Sequence, residues 1–259
     1  MSTMALIRQL KFDWKRFWRD PSGIFYALGL PAVFLIVFMA IIGGEEEPAQ
    51  IAGHTVSNKP YYVAAIMVLT VVSVTFVNLA VSLTAARERG TLKRVRGTRL
   101  PPWVFMAGRI GTAIIIVTAA IIAVALAGLL VYGVELPTTA LPGALLALVI
   151  GTAALSSLAF ALTIVMPSAN TAAAVTMVLT LVLYFISGIF AREDIIPHTI
   201  RQVAEVFPVK RLFESLVIAY DPATTGAGIH WTGLAVMAAW GIGGLIVALK
   251  FFRWMPSTE

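Results

Sequence analysis

The sequence predicts an all-α integral membrane protein, and three observations carry that prediction. Hydrophobic residues make up 59% of the chain and charged residues 12%, whereas soluble domains have about 45–50% and about 25%. Six apolar segments are each long enough to cross a bilayer. Lys and Arg concentrate in alternate connections between those segments, as expected for a chain that crosses a membrane repeatedly.

The six apolar segments define the predicted spans. A helix rises about 1.5 Å per residue, so about 20 residues cross a hydrocarbon core of about 30 Å. Every backbone polar group must find a partner inside the segment when water is absent, which makes these spans helices. We expect a single transmembrane domain over residues 1–259, with spans at residues 25–42, 61–85, 107–132, 141–165, 171–189 and 231–251.

The distribution of basic residues predicts the orientation. With the amino terminus placed inside, 14 of the 19 Lys and Arg residues fall in inner segments. Cytoplasmic connections of membrane proteins carry such an excess. We therefore expect both termini in the cytoplasm. We attribute the net charge of +6 to the inner loops and not to nucleic-acid binding.

Residues 4–20 predict an amphipathic helix that lies in the membrane interface. On a helical wheel of about 100° per residue, Trp14, Phe17 and Trp18 fall in the apolar arc. Lys15 and Arg16 fall outside that arc, where they would face phosphate headgroups or the cytosol. The segment is either a plain membrane anchor or an anchor that also contacts a partner.

Residues 86–102 form the only sizeable predicted inner loop, and its composition predicts a short charged helix. Gly90 and Gly97 bracket that helix, and Pro101-Pro102 ends the loop before the third span. A partner that gripped this helix would move the two spans that the loop joins. The alternative is a basic loop that only sets the topology.

Glu88 is the one acidic residue in this basic loop. Acidic residues contribute little to topology, so the carboxylate needs another explanation. No helical neighbour three or four positions away is a cation, so Glu88 has no intrahelical salt-bridge partner. Either it contacts Arg87 or Arg89 flexibly, or it meets a cation or backbone donor on another chain. The neighbours are Thr84, Ala85, Thr91 and Leu92.

Residues 191–230 form the longest predicted outer connection, which contains two helix patterns. Pro197 and Pro208 stand where a first-turn proline begins a helix. Lys210 and Glu214 are spaced to pair on the polar face of the second helix. We expect two short amphipathic helices that lie on the outer leaflet or re-enter it. The apolar face of the second helix comprises Val209, Leu212, Phe213, Leu216 and Val217.

Catalytic and metal-binding motifs are missing from the sequence. It contains no G-x-x-x-x-G-K-[ST] loop for ATP, no G-x-S-x-G or H-E-x-x-H motif and no cysteine. His54, His198 and His230 lack ligand spacing, and we expect them to be solvated surface residues without a metal ion. The span interiors lack the ionisable residues that ion-driven transport uses. The chain is therefore expected to be neither an enzyme nor a cofactor-binding protein, and energy for any uphill transport would enter through a partner.

Three residues outline a candidate substrate path. Asn78 is the one amide deep in a predicted span, where an interhelical hydrogen bond is the favoured role and substrate contact the alternative. Phe185 in the fifth span and Phe213 in the outer segment are the aromatic candidates. Apolar spans without buried charge favour a lipophilic substrate.

The inner loop resembles a known family pattern. The run Glu88-Arg89-Gly90-Thr91-Leu92, followed by Thr98 and Leu100-Pro101, resembles the E-x-G-T-L…T-x-L-P pattern of type-2 ABC exporter permeases. Arg99 stands where that family usually has proline. The layout is similar too, with a basic amphipathic helix, six spans, a charged first inner loop and paired outer helices. Within the family, the sequence looks most like the bacterial daunorubicin-resistance-type branch.

The resemblance implies a half-transporter in the bacterial inner membrane. Two permease copies, as a homodimer or a paralogous heterodimer, would each bind a separate cytoplasmic ABC ATPase that holds ATP and Mg. The inner loop would dock on that ATPase, and the lipid-embedded complex would export drugs, lipids or lipid-linked glycans. The residues that would couple to the ATPase are Arg87, Glu88, Arg89, Gly90, Thr91 and Leu92.

Two other classes of protein stay open on the sequence. One is a non-transporting assembly or sensor subunit of the membrane. The other is a membrane-embedded enzyme that acts on lipid. A carboxylate and histidine pair on one outer face would favour that enzyme.

Overall fold

The computed structural model describes Arg19, Phe25 and residues 29–42, 48–51, 53–97, 101–190 and 196–252. These residues form helices and one small antiparallel hairpin, which confirms the all-α membrane class. In chain order the elements are α1 (Leu30–Ile42), β1 (Ala49–Ile51), β2 (His54–Val56), α2 (Asn58–Glu88), α3 (Thr91–Arg96), α4 (Pro102–Tyr132), α5 (Leu141–Leu162), α6 (Ala169–Ile186), α7 (His198–Ala204), α8 (Pro208–Tyr220) and α9 (Trp231–Phe251).

Five helices of the described part are long and apolar enough to cross a membrane, namely α2, α4, α5, α6 and α9. They match the second to sixth predicted spans. The predicted first span is only partly described, since α1 has 13 residues, or about 20 Å, and residues 26–28 lie outside the described part. We call the end of the bundle that carries α3 the basic end, and the end that carries β1 and β2 the hairpin end.

The central helix α2 runs the whole distance between the two ends. It contains a π-helical turn, Ser73–Val77, in its middle. It stops before Gly90, whose φ of 67° lets the chain leave the helix in a conformation that other residues rarely adopt. The predicted short helix follows as α3, and Pro102 then occupies the first turn of α4, where no backbone donor is lost.

Small residues bring α5 and α9 into close contact. A Cβ added to Gly244 of α9 would lie 3.0 Å from the backbone of Ser157 in α5. At Gly241, an added Cβ would lie 3.1 Å from the backbone of Ala154. Close approach of backbones through small residues is how helices gain packing energy in lipid, where the hydrophobic effect between helices is weak.

Large apolar side chains cover the outside of several spans. Leu130 of α4 is 80% exposed, and Met177 of α6 and Trp231 of α9 are each 72% exposed. Such faces are unsuited to water and fit a lipid environment or another apolar surface.

Helix α8 is buried instead of lying on a surface. It packs against α2, α5 and α9 near the hairpin end. The predicted apolar face is inside, with Leu212 and Phe213 fully buried. The predicted polar face is inside as well, since Lys210 is 0% and Glu214 is 2% exposed. The two predicted helices exist, and the charged side of α8 meets matched charges of the protein and not water.

Candidate functional site

At the basic end, Arg87 holds the connection between α5 and α6. Its side chain is buried, and its guanidinium donates to the carbonyl of Thr163 at 2.8 Å and to the carbonyl of Met166. Thr163 is the C-cap residue of α5. Arg87 thus supplies a donor to the carbonyl of Thr163, which the end of α5 leaves without an intrahelical partner, and a second donor to the connection itself.

Glu88 holds the other end of the same connection. One carboxylate oxygen accepts a hydrogen bond of 3.0 Å from the amide of Ala169, the first residue of α6. The hydroxyl of the N-cap residue Ser168 accepts from the amide of Thr171, so two of the free amides of α6 have partners. The sequence suggested Arg87, Arg89 or a donor on another chain as partners of Glu88. The observed donor, Ala169, lies on the same chain 81 positions away, where no local pattern indicates it.

The segment after Glu88 faces outward. Arg89, Lys93, Arg94 and Arg96 are exposed, whereas Leu92 is 2% exposed and anchors α3 to the apolar core. Thr91 is exposed at the start of α3. Of the candidate coupling residues, Arg87 and Glu88 are thus bonded to the bundle and Leu92 is packed into it. Arg89 and Thr91 belong to an exposed surface that also carries three further cations.

Part of the predicted inner surface lies outside the described residues. This holds for the interfacial-helix residues Trp14, Lys15, Arg16, Phe17 and Trp18, and for residues 98–100 of the family pattern. Their roles stay predictions.

At the hairpin end, Arg211 joins α8 to the segment that precedes it. Its guanidinium donates to a carboxylate oxygen of Glu214 at 2.8 Å and to the backbone carbonyl of Glu205 at 2.8 Å. A further contact of 3.3 Å reaches the carboxylate of Glu205. Lys210 lies 3.6 Å from the other carboxylate oxygen of Glu214. Burial lowers the pKa of Lys210 to about 8, although the nearby charge of Glu214 opposes that shift.

Two of the three histidines belong to the same region, where both are partly exposed and each has a polar neighbour. His54 Nδ1 lies 2.5 Å from a carboxylate oxygen of Asp221, which ties β2 to the end of α8. His230 Nδ1 lies 3.4 Å from the hydroxyl of Ser215, and burial lowers the pKa of His230. His198 is exposed as predicted. Among the described residues, no three His, Asp or Glu side chains are grouped to hold a metal ion.

A cavity of about 470 Å³ opens beside the His54 and Asp221 pair. Thr224, Thr225 and the largely exposed Trp231 line it together with His54. The hydroxyl of Thr224 donates to the carbonyl of Ile218 at 2.6 Å and so fixes the loop that follows α8.

Aromatic rings connect two of the three substrate-path candidates. Starting from the buried Phe213, neighbouring ring centroids lie 5.1 to 6.3 Å apart as far as Phe185, which is 51% exposed. The hydroxyl of Tyr61 also donates to the carbonyl of Gly188. The rings along this chain are Phe213, Tyr61, Tyr62, Phe38, Phe190 and Phe185.

Asn78 does not join that aromatic chain. It directly follows the π-helical turn of α2, and its side chain is exposed. Within the described part of the chain no hydrogen bond of this side chain to another helix is found. Both the interhelical bond and the substrate contact stay predictions for Asn78.

The five apolar spans and their charged connections define a multi-pass helical membrane protein. The family model for the ABC-2 type transporter membrane domain matches residues 5–220. The chain therefore belongs to the ABC-2 type transporter family, as a transmembrane permease subunit. Membrane domains of this family have no ATP-binding site of their own and generally partner with a cytoplasmic ATPase subunit. No curated protein matches the sequence.

Proposed function

We propose that this chain is the transmembrane subunit of an ATP-driven exporter that moves a lipophilic or amphiphilic substrate, powered by a separate cytoplasmic ATPase. The observation that carries the proposal is the segment 89–97, which presents cations on the surface. Arg87 and Glu88, directly before it, are bonded into the bundle. A partner that moves the segment therefore acts on the spans.

The charge distribution supports a bacterial inner-membrane protein whose basic end and both termini lie on the cytoplasmic side. The exposed cations favour a docking partner whose facing surface is acidic. The inner-loop pattern supports the daunorubicin-resistance-type branch of the family. ATP and Mg would bind to the ATPase, and this chain would carry no cofactor.

The apolar surface supports the substrate class and the remaining partners. The exposed faces of α4, α6 and α9 fit lipid and a second permease copy. The aromatic chain from Phe213 to Phe185 joins the bundle interior to an exposed position, which suits a drug, a lipid or a lipid-linked glycan better than an ion. Stacked and edge-on rings offer large apolar contact with little directional demand.

Reconstitution tests this function. The isolated chain should hydrolyse no ATP, while the complex with its copurifying ATPase should hydrolyse ATP faster in the presence of a transported amphiphile. Liposomes that contain the complex should also move that amphiphile when ATP is added. Robust hydrolysis by the ATPase-free chain would contradict the proposal. So would a complex whose hydrolysis moves no member of a panel of drugs, lipids and lipid-linked glycans.

The orientation has its own test, because the chain contains no cysteine. In intact cells, an impermeant thiol reagent should label Glu205→Cys at the hairpin end and spare Arg94→Cys at the basic end. The opposite labelling pattern would overturn the proposed topology.

One observation favours a second candidate function, a membrane-embedded enzyme that acts on lipid. The His54 and Asp221 pair is the kind of general-base arrangement such an enzyme requires, and it borders a cavity. Under the exporter proposal, His54→Ala retains ATP-driven transport. Turnover of a lipid by the chain alone, abolished by both His54→Ala and Asp221→Asn, would establish the enzyme instead.

A further inference from the structure

Arg87 and Glu88 are adjacent, have opposite charges and bind opposite ends of one short connection. The guanidinium of Arg87 donates to the carbonyls of Thr163 and Met166, where α5 ends. The carboxylate of Glu88 accepts from the amide of Ala169, where α6 begins. The final turn of α2 is thereby bonded to the two spans that follow α4.

The signs of the two charges match the helix ends that they meet. The carboxyl end of a helix carries partial negative charge, and its amino end carries partial positive charge. Arg87 lies at the carboxyl end of α5 and Glu88 at the amino end of α6. Exchanging the two residues would place each charge at the end that repels it, so the order Arg then Glu is itself part of the arrangement.

The exposure of the basic side chains changes directly after this pair. Arg87 is 4% exposed, so its guanidinium is not offered to a partner protein. Arg89, two residues later, is exposed and leads into the basic surface of α3. One stretch of chain thus combines a pair that is bonded to the bundle, of which Arg87 is buried and Glu88 exposed, and a partner-facing segment.

We propose that Arg87 and Glu88 are positioning residues that make the basic ends of α2, α5 and α6 move as one unit when the segment 89–97 is displaced. This inference rests on the proposed function, in which an ATPase displaces that segment. It extends the function because displacement of the loop would move further spans besides α2 and α4, which the loop joins directly. The bonds of the pair add α5 and α6.

The first test separates the transmission of motion from the docking of the ATPase. In the reconstituted complex, Glu88→Ala should leave ATPase copurification at the wild-type level and lower the amount of substrate moved per ATP by about fivefold, the effect of losing one helix cap. Glu88→Gln keeps an oxygen that can accept from Ala169 and should restore most of the transport. Arg89→Gln is the matched control. It should weaken copurification of the ATPase, which Glu88→Ala should not.

The second test needs neither transport nor the ATPase. Spin labels at Lys93→Cys and Asn170→Cys, both exposed positions, report the distance between α3 and the start of α6. In the full chain in lipid nanodiscs we expect a single narrow distance distribution. Glu88→Ala should add a second, longer distance to that distribution, and Glu88→Gln should not.

Three results would overturn the inference. The first is a Glu88→Ala protein with the wild-type distance distribution and wild-type transport per ATP. The second is loss of ATPase copurification by Glu88→Ala as large as that by Arg89→Gln, which would make Glu88 a docking residue. The third is an equally broad distance distribution with and without the carboxylate. If the wild-type complex moved no substrate, the proposed function would fail, while the spin-label comparison would still decide whether the pair holds the spans together.

Discussion

At the basic end four cations face the surface, namely Arg89, Lys93, Arg94 and Arg96. At the hairpin end Lys210 and Glu214 are buried in the bundle, and Arg211 is partly buried beside them. The exposed cations have no cost of desolvation and remain free for a partner. The buried charges must be matched within the chain, because a charge without a partner away from water is strongly unfavourable. Charge at one end therefore serves association, and charge at the other end holds a helix in one place.

Of the substitutions that test this difference between the two ends, removal of the carboxylate of Glu214 should reduce stability most. Glu214→Ala removes the carboxylate beside the buried Lys210 and the partly buried Arg211, and should lower the free energy of unfolding by about 3–5 kcal/mol. Glu205→Ala is the control, since that carboxylate is 44% exposed and its ion pair should contribute only about 0–1 kcal/mol. Thermal unfolding in nanodiscs measures both, and equal losses would show that burial does not separate the two pairs.

At the basic end, the buried Arg87 should contribute more to the free energy of unfolding than the exposed Arg89. Arg87→Ala leaves the carbonyls of Thr163 and Met166 without these donors, which should cost about 1–3 kcal/mol for each carbonyl that water cannot reach. Arg89→Ala removes the same charge from the surface and should change stability by less than about 0.5 kcal/mol. The same unfolding assay compares them, and a loss for Arg89→Ala as large as that for Arg87→Ala would count against the bonded role of Arg87.

The hairpin end should also respond to pH through Lys210. Its pKa is lowered to about 8 in the folded chain, against about 10.4 when exposed. Between these values the unfolded state binds more protons, so stability should rise as pH increases from about 8 towards 10. Arg211 still pairs with Glu214 when Lys210 loses its proton. The melting temperatures of the wild type and Lys210→Met at pH 7.5 and 9.5 test this. An identical pH response in the two proteins would rule out Lys210 as its source.

The smallest expected effects belong to the exposed cations of α3. Lys93→Ala and Arg94→Ala should each weaken binding of the ATPase by less than about fivefold, and more at low salt than at high salt. Lys59→Ala removes the same charge from an exposed position at the hairpin end and should leave binding unchanged. Titration of the reconstituted chain with its ATPase measures the series. A loss for Lys59→Ala equal to that for Arg94→Ala would mean that net charge and not location matters.

The spans and the basic loop could be predicted because their signals are local. Twenty apolar residues in a row and an excess of Lys and Arg in a loop are visible without knowing what lies nearby. The spacing of Lys210 and Glu214 also predicted their pairing correctly. It could not show that the pair is buried, because helical periodicity identifies faces of a helix and not what covers them.

The bonds that define both ends join residues far apart in the chain. His54 and Asp221 are separated by 167 positions, and Glu88 and Ala169 by 81. No repeat, motif or spacing connects such residues before the fold places them together. For Glu88 a weak signal existed, since an acid without a helical partner needs some donor, and backbone amides at the start of a neighbouring helix are the usual ones.

The π-helical turn of α2 changes which positions of that helix face the interior before and after the turn. A π turn holds one residue more than an α turn, which rotates every later side chain by about 100° relative to the earlier half. Counting in α-helical steps of three and seven from the exposed Ser73 would place Phe76 and Ala80 on the outside, yet both are buried, and Asn78 is exposed instead. Removing one residue from this turn would leave the first half of α2 in register and turn Arg87 and Glu88 away from the helix ends that they bind. A one-residue deletion at the centre of the membrane would then act on bonds at the basic end.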